Sequence, residues 1–346
     1  MELGKRAKKF VIWLSLLFTV LVAFTVLYGV LDTAFAPYTN IDDEVVEPGY
    51  AYALGEIDDS YGIGHDGHDA RADPAVPGAA ALPVAPGDPR RNGEFVLLKM
   101  YPSDVFSGSL ILINNAYSYD IPEMNDLVAV MDAKTESYRV ADENVSVSEM
   151  MIGPLNDMMD AFHAETGNRN VSVVSAFRDY ARQQEVLDTY TRRMGRANAL
   201  QWVALPGHSE HHAGLAVDFG VYSNGVNRTF QGTGVYSWFR ENSYLFGFVL
   251  RFDKLKSDVT GVAEEQWHFR YVGNPHAGIM YEYDLCLEEY IGLVMGHSFD
   301  EPFAAVYDGV GYEIYYVRGT TVAVPFDCDF DISGNNIDGF IVTTWR

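Results

Sequence analysis

The chain has 346 residues, of which 48% are hydrophobic and 14% aromatic, enough for one sizeable core with appendages or for two modest domains. A formal net charge of −24 excludes nucleic acid as a partner, because such a balance cannot neutralise a row of phosphates. Two cysteines, Cys286 and Cys328, are too few for a disulfide framework. They could pair with each other or remain two buried thiols.

The N-terminal segment predicts a single-pass membrane anchor. Four basic residues within positions 1–9 precede an uninterrupted uncharged run at 10–31, which is long enough to cross a hydrocarbon core of ~30 Å as a helix. Positive flanks stay in the cytoplasm, so residues 1–9 are predicted to be cytoplasmic and the rest of the chain extracellular. A cleaved signal peptide is the competing interpretation, disfavoured by the length of the apolar run.

Residues 32–92 are predicted to be a disordered tether rich in Pro, Gly, Ala and acidic residues. The run at 72–89 shows neither helical nor strand periodicity, which is typical of an extended, mobile linker. The sequence HDGHD, with His65, His68 and Asp69, invites a metal interpretation. Its flexible, Gly-rich surroundings favour a solvated segment instead.

A folded domain is predicted over residues 93–295. Leu155, Met158, Met159 and Phe162 recur at helical spacing, and Gly167 supplies the expected helix end. Helices and strands without a regular βαβ rhythm predict an α+β fold, a mainly antiparallel sheet flanked by helices. A second helix is expected around 180–194, and strands are expected at 95–100, 110–113, 171–175, 215–219, 246–252 and 266–272.

Beyond residue 295 the pattern changes to short strands and turns. Strands are expected at 312–317, 320–324 and 340–344, and the turn Ser333–Asn336 is rich in residues that tolerate positive φ. Residues 296–346 are therefore predicted to form a small C-terminal β subdomain.

The densest polar cluster is PGHSEHHAGLAVD, which ends at Asp218. Zinc favours imidazole and carboxylate ligands, and catalytic zinc sites keep three protein ligands and one open position. On a strand, Asp218 would lie on the face opposite Val217, beside the small Ala216. That placement fits a metal ligand at the floor of a pocket; an Asp in a strand-end turn is the alternative.

A second polar cluster is EEQWHFR at 264–270. A carboxylate three residues before a histidine fits a general base held near a metal-bound water. On a regular strand Glu265 and His268 would point to opposite faces, so a bend or bulge is expected if both reach one site. This pattern alone favours a core histidine at His268 over a metal ligand.

Taken together, the two clusters resemble a known family. An HxxGxAxD pattern from His211 to Asp218, followed by an ExWH pattern from Glu265 to His268, resembles the VanY-type D-alanyl-D-alanine carboxypeptidases. One departure is Gln266, where relatives often carry Pro. The resemblance runs from about residue 95 to 346 and includes the segments 175–178, 244–251, 269–273, 287–290 and 333–339.

The resemblance implies the zinc D,D-peptidase (hedgehog-like) fold and Zn²⁺ as cofactor. It implies His211, Asp218 and His268 as the metal ligands and Glu265 as the catalytic base. It further implies that Arg178 is catalytic and faces the scissile carbonyl. The remaining assignments are Gln183 and Ser209 at the substrate end of the pocket, and His208, His212 and Glu264 as neighbours without a metal role.

The implied reaction is removal of the terminal D-Ala from peptidoglycan stem peptides by attack of a metal-bound water. The expected partners are those stem peptides and, through the N-terminal helix, the cell membrane, with the catalytic domain on the bacterial cell-wall side. An L,D-carboxypeptidase that trims tetrapeptide stems shares every motif named above. A non-catalytic wall-binding module is a further alternative, against which the intact Glu265 and Arg178 argue.

Overall fold

The computed structural model describes residues 95–120 and 126–346. The predicted cytoplasmic segment, the anchor at 10–31 and the tether with its HDGHD cluster lie outside the described residues. Within the described ranges, no helix combines the length and the apolar character needed to cross a membrane. Cys286 is buried, Cys328 is half-buried, and both are free thiols.

The strands fall into a central mixed sheet and smaller antiparallel sheets. In chain order they are β1 (Phe95–Lys99), β2 (Leu127–Ala129), β3 (Arg139–Val140), β4 (Ser146–Ser148), β5 (Val171–Ser175), β6 (Ala216–Ser223), β7 (Val226–Thr229), β8 (Phe248–Phe252), β9 (Glu265–Tyr271), β10 (Phe303–Tyr307), β11 (Val310–Arg318), β12 (Thr321–Pro325), β13 (Asp329–Gly334) and β14 (Gly339–Trp345).

Helices connect and cover these strands. The α-helices are α1 (Val130–Ala133), α2 (Glu149–Thr166), α3 (Tyr180–Met194), α4 (Arg196–Ala199), α5 (Trp238–Asn242), α6 (Ser257–Thr260), α7 (His276–Glu282) and α8 (Leu287–Met295). Short 3-10 turns lie at Pro102–Phe106, Glu210–Ala213, Gly234–Ser237, Ser243–Phe246 and Lys254–Lys256.

The central sheet has six strands in the order β3-β5-β6-β9-β8, with β7 paired to β6. Only β3 and β5 run parallel; the other pairs are antiparallel, as predicted. The predicted strands at 171–175, 215–219, 246–252 and 266–272 correspond to β5, β6, β8 and β9, with small shifts at their ends.

Helix α2 covers one face of this sheet. The predicted stripe of Leu155, Met158, Met159 and Phe162 is buried against aromatic residues of β6 and β9. Burial of each such side chain contributes about 1.5–3 kcal/mol. Gly167 ends the helix with φ +69°, as predicted from a residue that adopts the left-handed region without strain. Helix α3 has the predicted bounds, and the Asp179 side chain caps it by accepting from the Arg182 backbone N–H.

The C-terminal strands form a four-stranded sheet in the order β10-β11-β14-β13. A separate pair, β1 with β12, joins the first described strand to this region. Buried side chains of α7 and α8, such as Ile279 and Ile291, share one core with Ile314 of β11 and Ile341 of β14. The sheet therefore packs intimately on the preceding helices, and the boundary at residues 295/296 stays a prediction.

The predicted strand at 110–113 is not a strand in the structure. Its four residues are buried and alternate between two cores, with Leu110 and Leu112 in one and Ile111 and Ile113 in the other. The continuous apolar run LILI is what resembled a strand in the sequence. Its backbone instead pairs with side chains and a loop carbonyl: Leu110 N–H donates to Ser333 Oγ, and Leu112 N–H donates to the Asn335 carbonyl.

Candidate metal centre and substrate pocket

Three elements bring the predicted ligands together. The turn Glu210–Ala213 carries His211 and ends at Gly214, whose φ of +65° turns the chain sharply into β6. Asp218 lies on β6 and His268 on β9, directly opposite each other in the antiparallel register. Asp218 alternates with the buried Val217 and so points away from the α2 core.

The ligand atoms of His211, Asp218 and His268 lie within 4.8 Å of one another. His211 Nε2 is 3.3 Å from Asp218 Oδ2, and His268 Nδ1 is 3.0 Å from Asp218 Oδ1. In the part of the chain that the structure describes, these three side chains form the group that could hold a metal ion.

The His211 ring is oriented by the backbone. Its Nδ1 donates to the Ala176 carbonyl oxygen at 2.5 Å, which leaves Nε2 as a bare lone pair. Burial lowers the pKa of His211 to about 4, so the ring is neutral. Nε2 is buried with no hydrogen-bond partner among the described residues, and it faces the Asp218 carboxylate. Two acceptors held this close form a site for a cation.

The His268 ring lies between two carboxylates. Nδ1 faces Asp218, while Nε2 is 3.2 Å from Glu210 Oε2. Burial lowers the pKa of His268, but the hydrogen bonds to Asp218 and Glu210 outweigh it and raise that pKa to about 9. Burial raises the pKa of Asp218, and its two histidine neighbours reverse this effect and hold it well below the usual range.

A bulge in β9 brings Glu265 to the same site, as predicted. Leu250 of β8 pairs with Phe269 of β9, and Phe252 of β8 pairs with Glu265 of β9. A step of two residues along β8 thus corresponds to a step of four along β9, which places the extra residues of the bulge in β9. Glu265 Oε2 lies 3.8 Å from His268 Nδ1. Burial raises the pKa of Glu265 to about 8, an effect that the positive charge of His268 opposes.

Arg178 enters the site from the loop after β5. Its backbone N–H donates to the His211 carbonyl at 3.2 Å, and its Nη2 is 3.9 Å from Asp218 Oδ2. Its Nε is buried with no hydrogen-bond partner in the described ranges. Burial lowers the pKa of Arg178, but a guanidinium remains charged in proteins. The site thus contains a guanidinium with an unsatisfied N–H donor beside the Asp218 carboxylate.

A cavity of about 80 Å³ opens onto these groups. Gln183 donates from Nε2 to the Ala204 carbonyl at 2.8 Å, and its Oε1 is buried without a partner among the described atoms. That oxygen is available to accept from a ligand. The predicted site residues all line the cavity: Arg178, Gln183, Ser209, His211, Asp218, Glu265 and His268.

The neighbouring polar residues have other partners. His212 donates from Nδ1 to the Arg178 carbonyl at 2.6 Å and accepts from the Gly207 N–H at 2.9 Å, so both ring nitrogens are satisfied. His208 Nδ1 bonds to the Asn114 carbonyl at 2.8 Å. Glu264 accepts from Gln266. None of the three belongs to the ligand cluster.

The sequence reasoning missed three buried charged residues behind His268: Glu210, Arg251 and Arg270. Glu210 Oε1 accepts from Arg251 Nε at 2.7 Å and from Arg270 Nη1 at 3.1 Å. Burial raises the pKa of Glu210, and the two guanidinium groups outweigh it and lower that pKa. A signal was present for Arg251, because it interrupts the otherwise apolar strand segment FVLRF.

The sequence reasoning also missed pocket residues far from the motifs. Asn114 and Asn115 line the cavity just after the buried segment that was predicted to be a strand, and Trp202 lines another part beside Trp267 of the ExWH pattern. The two indole rings stack with centroids 6.5 Å apart. No local motif marks Asn114, Asn115 or Trp202, because these residues reach the cavity only through tertiary packing.

Comparison with known proteins gives the family. Residues 144–274 match the family model "VanY: D-alanyl-D-alanine carboxypeptidase". A D-alanyl-D-alanine carboxypeptidase of Enterococcus faecium is 32% identical over 247 residues, covering 70% of this chain and 76% of that protein. The chain belongs to the VanY family. The putative carboxypeptidase YodJ of Bacillus subtilis is 33% identical over 216 residues, covering 58% of this chain and 77% of YodJ.

The VanY resemblance extends to the three-dimensional fold. The chain is similar to the crystal structure of the vancomycin resistance D,D-dipeptidase VanXYg in complex with a D-Ala-D-Ala phosphinate analog, with a TM-score of 0.65 and 30% identity. The match covers 73% of this chain and 99% of that one. The mixed fold of sheets and helices is therefore shared with this D,D-peptidase, as the VanY resemblance in the sequence implied.

Proposed function

We propose that this VanY-family protein is a zinc-dependent D-alanyl-D-alanine carboxypeptidase. The observation that carries the proposal is the buried contact between two acceptors, His211 Nε2 and Asp218 Oδ2, in a cavity that also contains Glu265 and Arg178. The cavity therefore combines a cation site, a buried carboxylate and a charged donor. These are the groups that peptide hydrolysis by an activated water requires.

The ligand set fits zinc. Two imidazole nitrogens and one carboxylate leave a position open, as in catalytic zinc sites, whereas Mg²⁺ and Ca²⁺ prefer oxygen ligands. His211, Asp218 and His268 would hold the ion. Zn²⁺, when bound, would acidify a water molecule and polarise the scissile carbonyl.

The side chains of the cavity supply the remaining chemistry. Glu265 takes a proton from the attacking water and delivers it to the departing amine, so it acts as base and then as acid. Arg178 donates N–H groups to the carbonyl oxygen as that oxygen becomes negative. The free Oε1 of Gln183 accepts an N–H of the substrate, and Ser209 lies at the same end of the cavity.

The proposed substrate is a peptidoglycan stem peptide that ends in D-Ala-D-Ala. The names of the relatives support this substrate, and a cavity of about 80 Å³ suits a small terminal residue better than an aromatic one. We also propose that the enzyme works on the cell-wall side of the membrane. The basic residues before the uncharged run at 10–31 support this location, which stays a prediction.

The decisive experiment follows D-Ala release by mass spectrometry from defined pentapeptide and tetrapeptide stems. We expect the full chain to release one D-Ala from the pentapeptide, to lose this activity on chelation and to recover it with added zinc. Release from the tetrapeptide alone would contradict the proposal in favour of an L,D-carboxypeptidase. Zinc binding without any release would indicate a non-catalytic wall-binding module.

The role of Glu265 has a matched control next to it in the chain. We expect Glu265→Gln to lower kcat at least about a hundredfold, since it removes the proton acceptor and leaves the ligands in place. Glu264→Gln changes the same functional group one residue away and should leave kcat within about twofold. Equal effects of the two substitutions would refute the assignment of the base.

A further inference from the structure

We propose that Glu210 is a positioning residue that fixes which nitrogen of His268 faces the metal site, a proposal that rests on the proposed function in assuming that a metal binds there. A histidine ring can present either nitrogen, and the hydrogen bond to the other nitrogen decides which. In the structure Nδ1 faces Asp218 at 3.0 Å and Nε2 faces Glu210 Oε2 at 3.2 Å.

The two oxygens of Glu210 have different partners. Oε1 accepts from Arg251 Nε and from Arg270 Nη1, and both guanidinium groups are buried. Oε2 is left for His268. Because Glu210 is ionised and both its oxygens are acceptors, the Nε2 atom of His268 must carry a proton to pair with it. With Nε2 held by Glu210, Nδ1 on the Asp218 side is the nitrogen that would give up its proton and bind a metal.

The chain order links the two histidine ligands. Glu210 directly precedes His211 on one short 3-10 turn, so the same backbone that presents one ligand also presents the group that orients the other. The Phe252 ring packs against the His268 ring, with the centroids 4.9 Å apart and the planes tilted by 39°. The His268 ring is thereby restrained by a carboxylate and by an aromatic neighbour.

The arginines connect this carboxylate to the pocket wall. Arg251 donates to Glu288 with both terminal nitrogens, at 2.9 and 2.6 Å, and Glu288 accepts from Asn114 Nδ2 at 3.1 Å. Two buried arginines therefore face two glutamates, and the charges balance. Arg270 Nη2 donates to the carbonyls of Ser109 and Ile111, both at 2.9 Å.

A purely structural role would make Glu210 one member of a buried ion-pair network, equivalent to Glu288. The two glutamates differ in one respect, since Glu210 contacts His268 and Glu288 does not. Glu288→Gln is therefore a matched control for Glu210→Gln. It removes one negative charge from the same network and leaves the contact with the histidine intact.

The first measurement is the zinc dissociation constant of the full chain, determined by competition with a chromophoric chelator, with thermal melting of each metal-free variant to confirm folding. We expect Glu210→Gln to weaken zinc binding about 10- to 100-fold, and Glu288→Gln to change it by less than about threefold. Equal weakening by both variants, or unchanged affinity in a folded Glu210→Gln protein, would overturn the proposal.

The second measurement needs no variant, so it decides the matter even if Glu210→Gln does not fold. Nitrogen-15 NMR of the zinc-loaded, histidine-labelled protein reports which ring nitrogen carries the proton. We expect a proton on Nε2 of His268, and a proton on Nδ1 would overturn the proposal. Neither measurement uses peptide release. A protein that binds zinc through this tautomer but cleaves no stem peptide would refute the proposed function alone.

Discussion

Arg178 brings a buried charged side chain to the site with one N–H donor left unsatisfied. Its Nε has no partner among the described residues, and its nearest carboxylate, on Asp218, is 3.9 Å away. A buried donor costs free energy when it is left unsatisfied. In the proposed reaction this N–H donor is directed at an oxygen that becomes negative only in the transition state.

We expect Arg178→Ala to lower kcat by about 10²- to 10³-fold, because one charged donor to the developing oxyanion is lost. Zinc affinity should change little, since Arg178 is not a ligand. Arg182→Ala, at an exposed arginine in the first turn of α3, is the control and should leave kcat unchanged. Steady-state kinetics on a pentapeptide stem measures both, and a kcat that Arg178→Ala leaves intact would remove the arginine from the mechanism.

At this scale the sequence predicted the ligands, the base and the arginine through the family resemblance. Spacing alone left His268 ambiguous, because alternation along a strand sends Glu265 and His268 to opposite faces and does not encode a bulge. Glu210 was missed for a different reason. A carboxylate in a polar turn resembles a solvated residue until the two arginines that bury it are brought in from β8 and β9.

Among the secondary-structure elements, α7 and β14 are joined by a buried histidine. His276 Nδ1 lies 2.6 Å from the Tyr290 hydroxyl, and its Nε2 lies 3.3 Å from Thr343 Oγ1. Burial lowers the pKa of His276 to about 3, with no charged neighbour contributing to the shift. The ring is therefore neutral in the folded protein, and it links two helices to the C-terminal sheet.

This histidine predicts a loss of stability in acid. The unfolded chain binds a proton at His276 below about pH 6.5, and the folded chain binds it only near pH 3. Between these values the unfolded state holds more protons, so the free energy of unfolding falls as pH falls, by up to about 1.4 kcal/mol per pH unit. We expect urea unfolding of His276→Gln to show a shallower decline from pH 6.5 to 4.5 than that of His297→Gln, the same exchange at a half-buried histidine after α8, which is the control. Parallel curves would contradict the prediction.

Secondary structure was predictable where local periodicity determined it. Helix α2 was predictable, because its apolar stripe and its terminal glycine are both evident from the sequence. The segment 110–113 was not, because its apolar run is typical of a strand, whereas its hydrogen bonds go to side chains more than a hundred positions away. No local pattern distinguishes an apolar run that pairs as a strand from one whose backbone bonds to distant side chains.

Over the whole molecule, the C-terminal sheet supports a segment that lines the cavity of the candidate site. Asn336, with φ +59°, donates from Nδ2 to the carbonyls of Leu112 and Ser118, at 2.8 and 3.0 Å. These bonds hold the buried segment from which Asn114 and Asn115 line the cavity. The segment thus depends on a turn of the C-terminal sheet for its shape.

We expect Asn336→Gly to raise KM for stem peptides several-fold and to lower the free energy of unfolding by about 1–3 kcal/mol, because the buried Leu112 carbonyl and the more exposed Ser118 carbonyl lose their donor. Glycine retains the positive φ, so backbone strain is not the cause. Asn224→Gly makes the same exchange at another positive-φ asparagine, in the exposed turn between β6 and β7, and is the control. An unchanged KM in Asn336→Gly would show that the C-terminal sheet does not shape the cavity.

The position of β14 also sets the order of events during folding. β14 is the last strand of its sheet in the chain but lies in its interior, between β11 and β13. The bond from Asn336 to Leu112 closes a loop of 224 positions, and contacts of such separation form late because of the entropy of closing the loop. We therefore expect a chain growing from its N-terminus to bring the three predicted metal ligands together before Asn336 can hold the segment that lines the cavity.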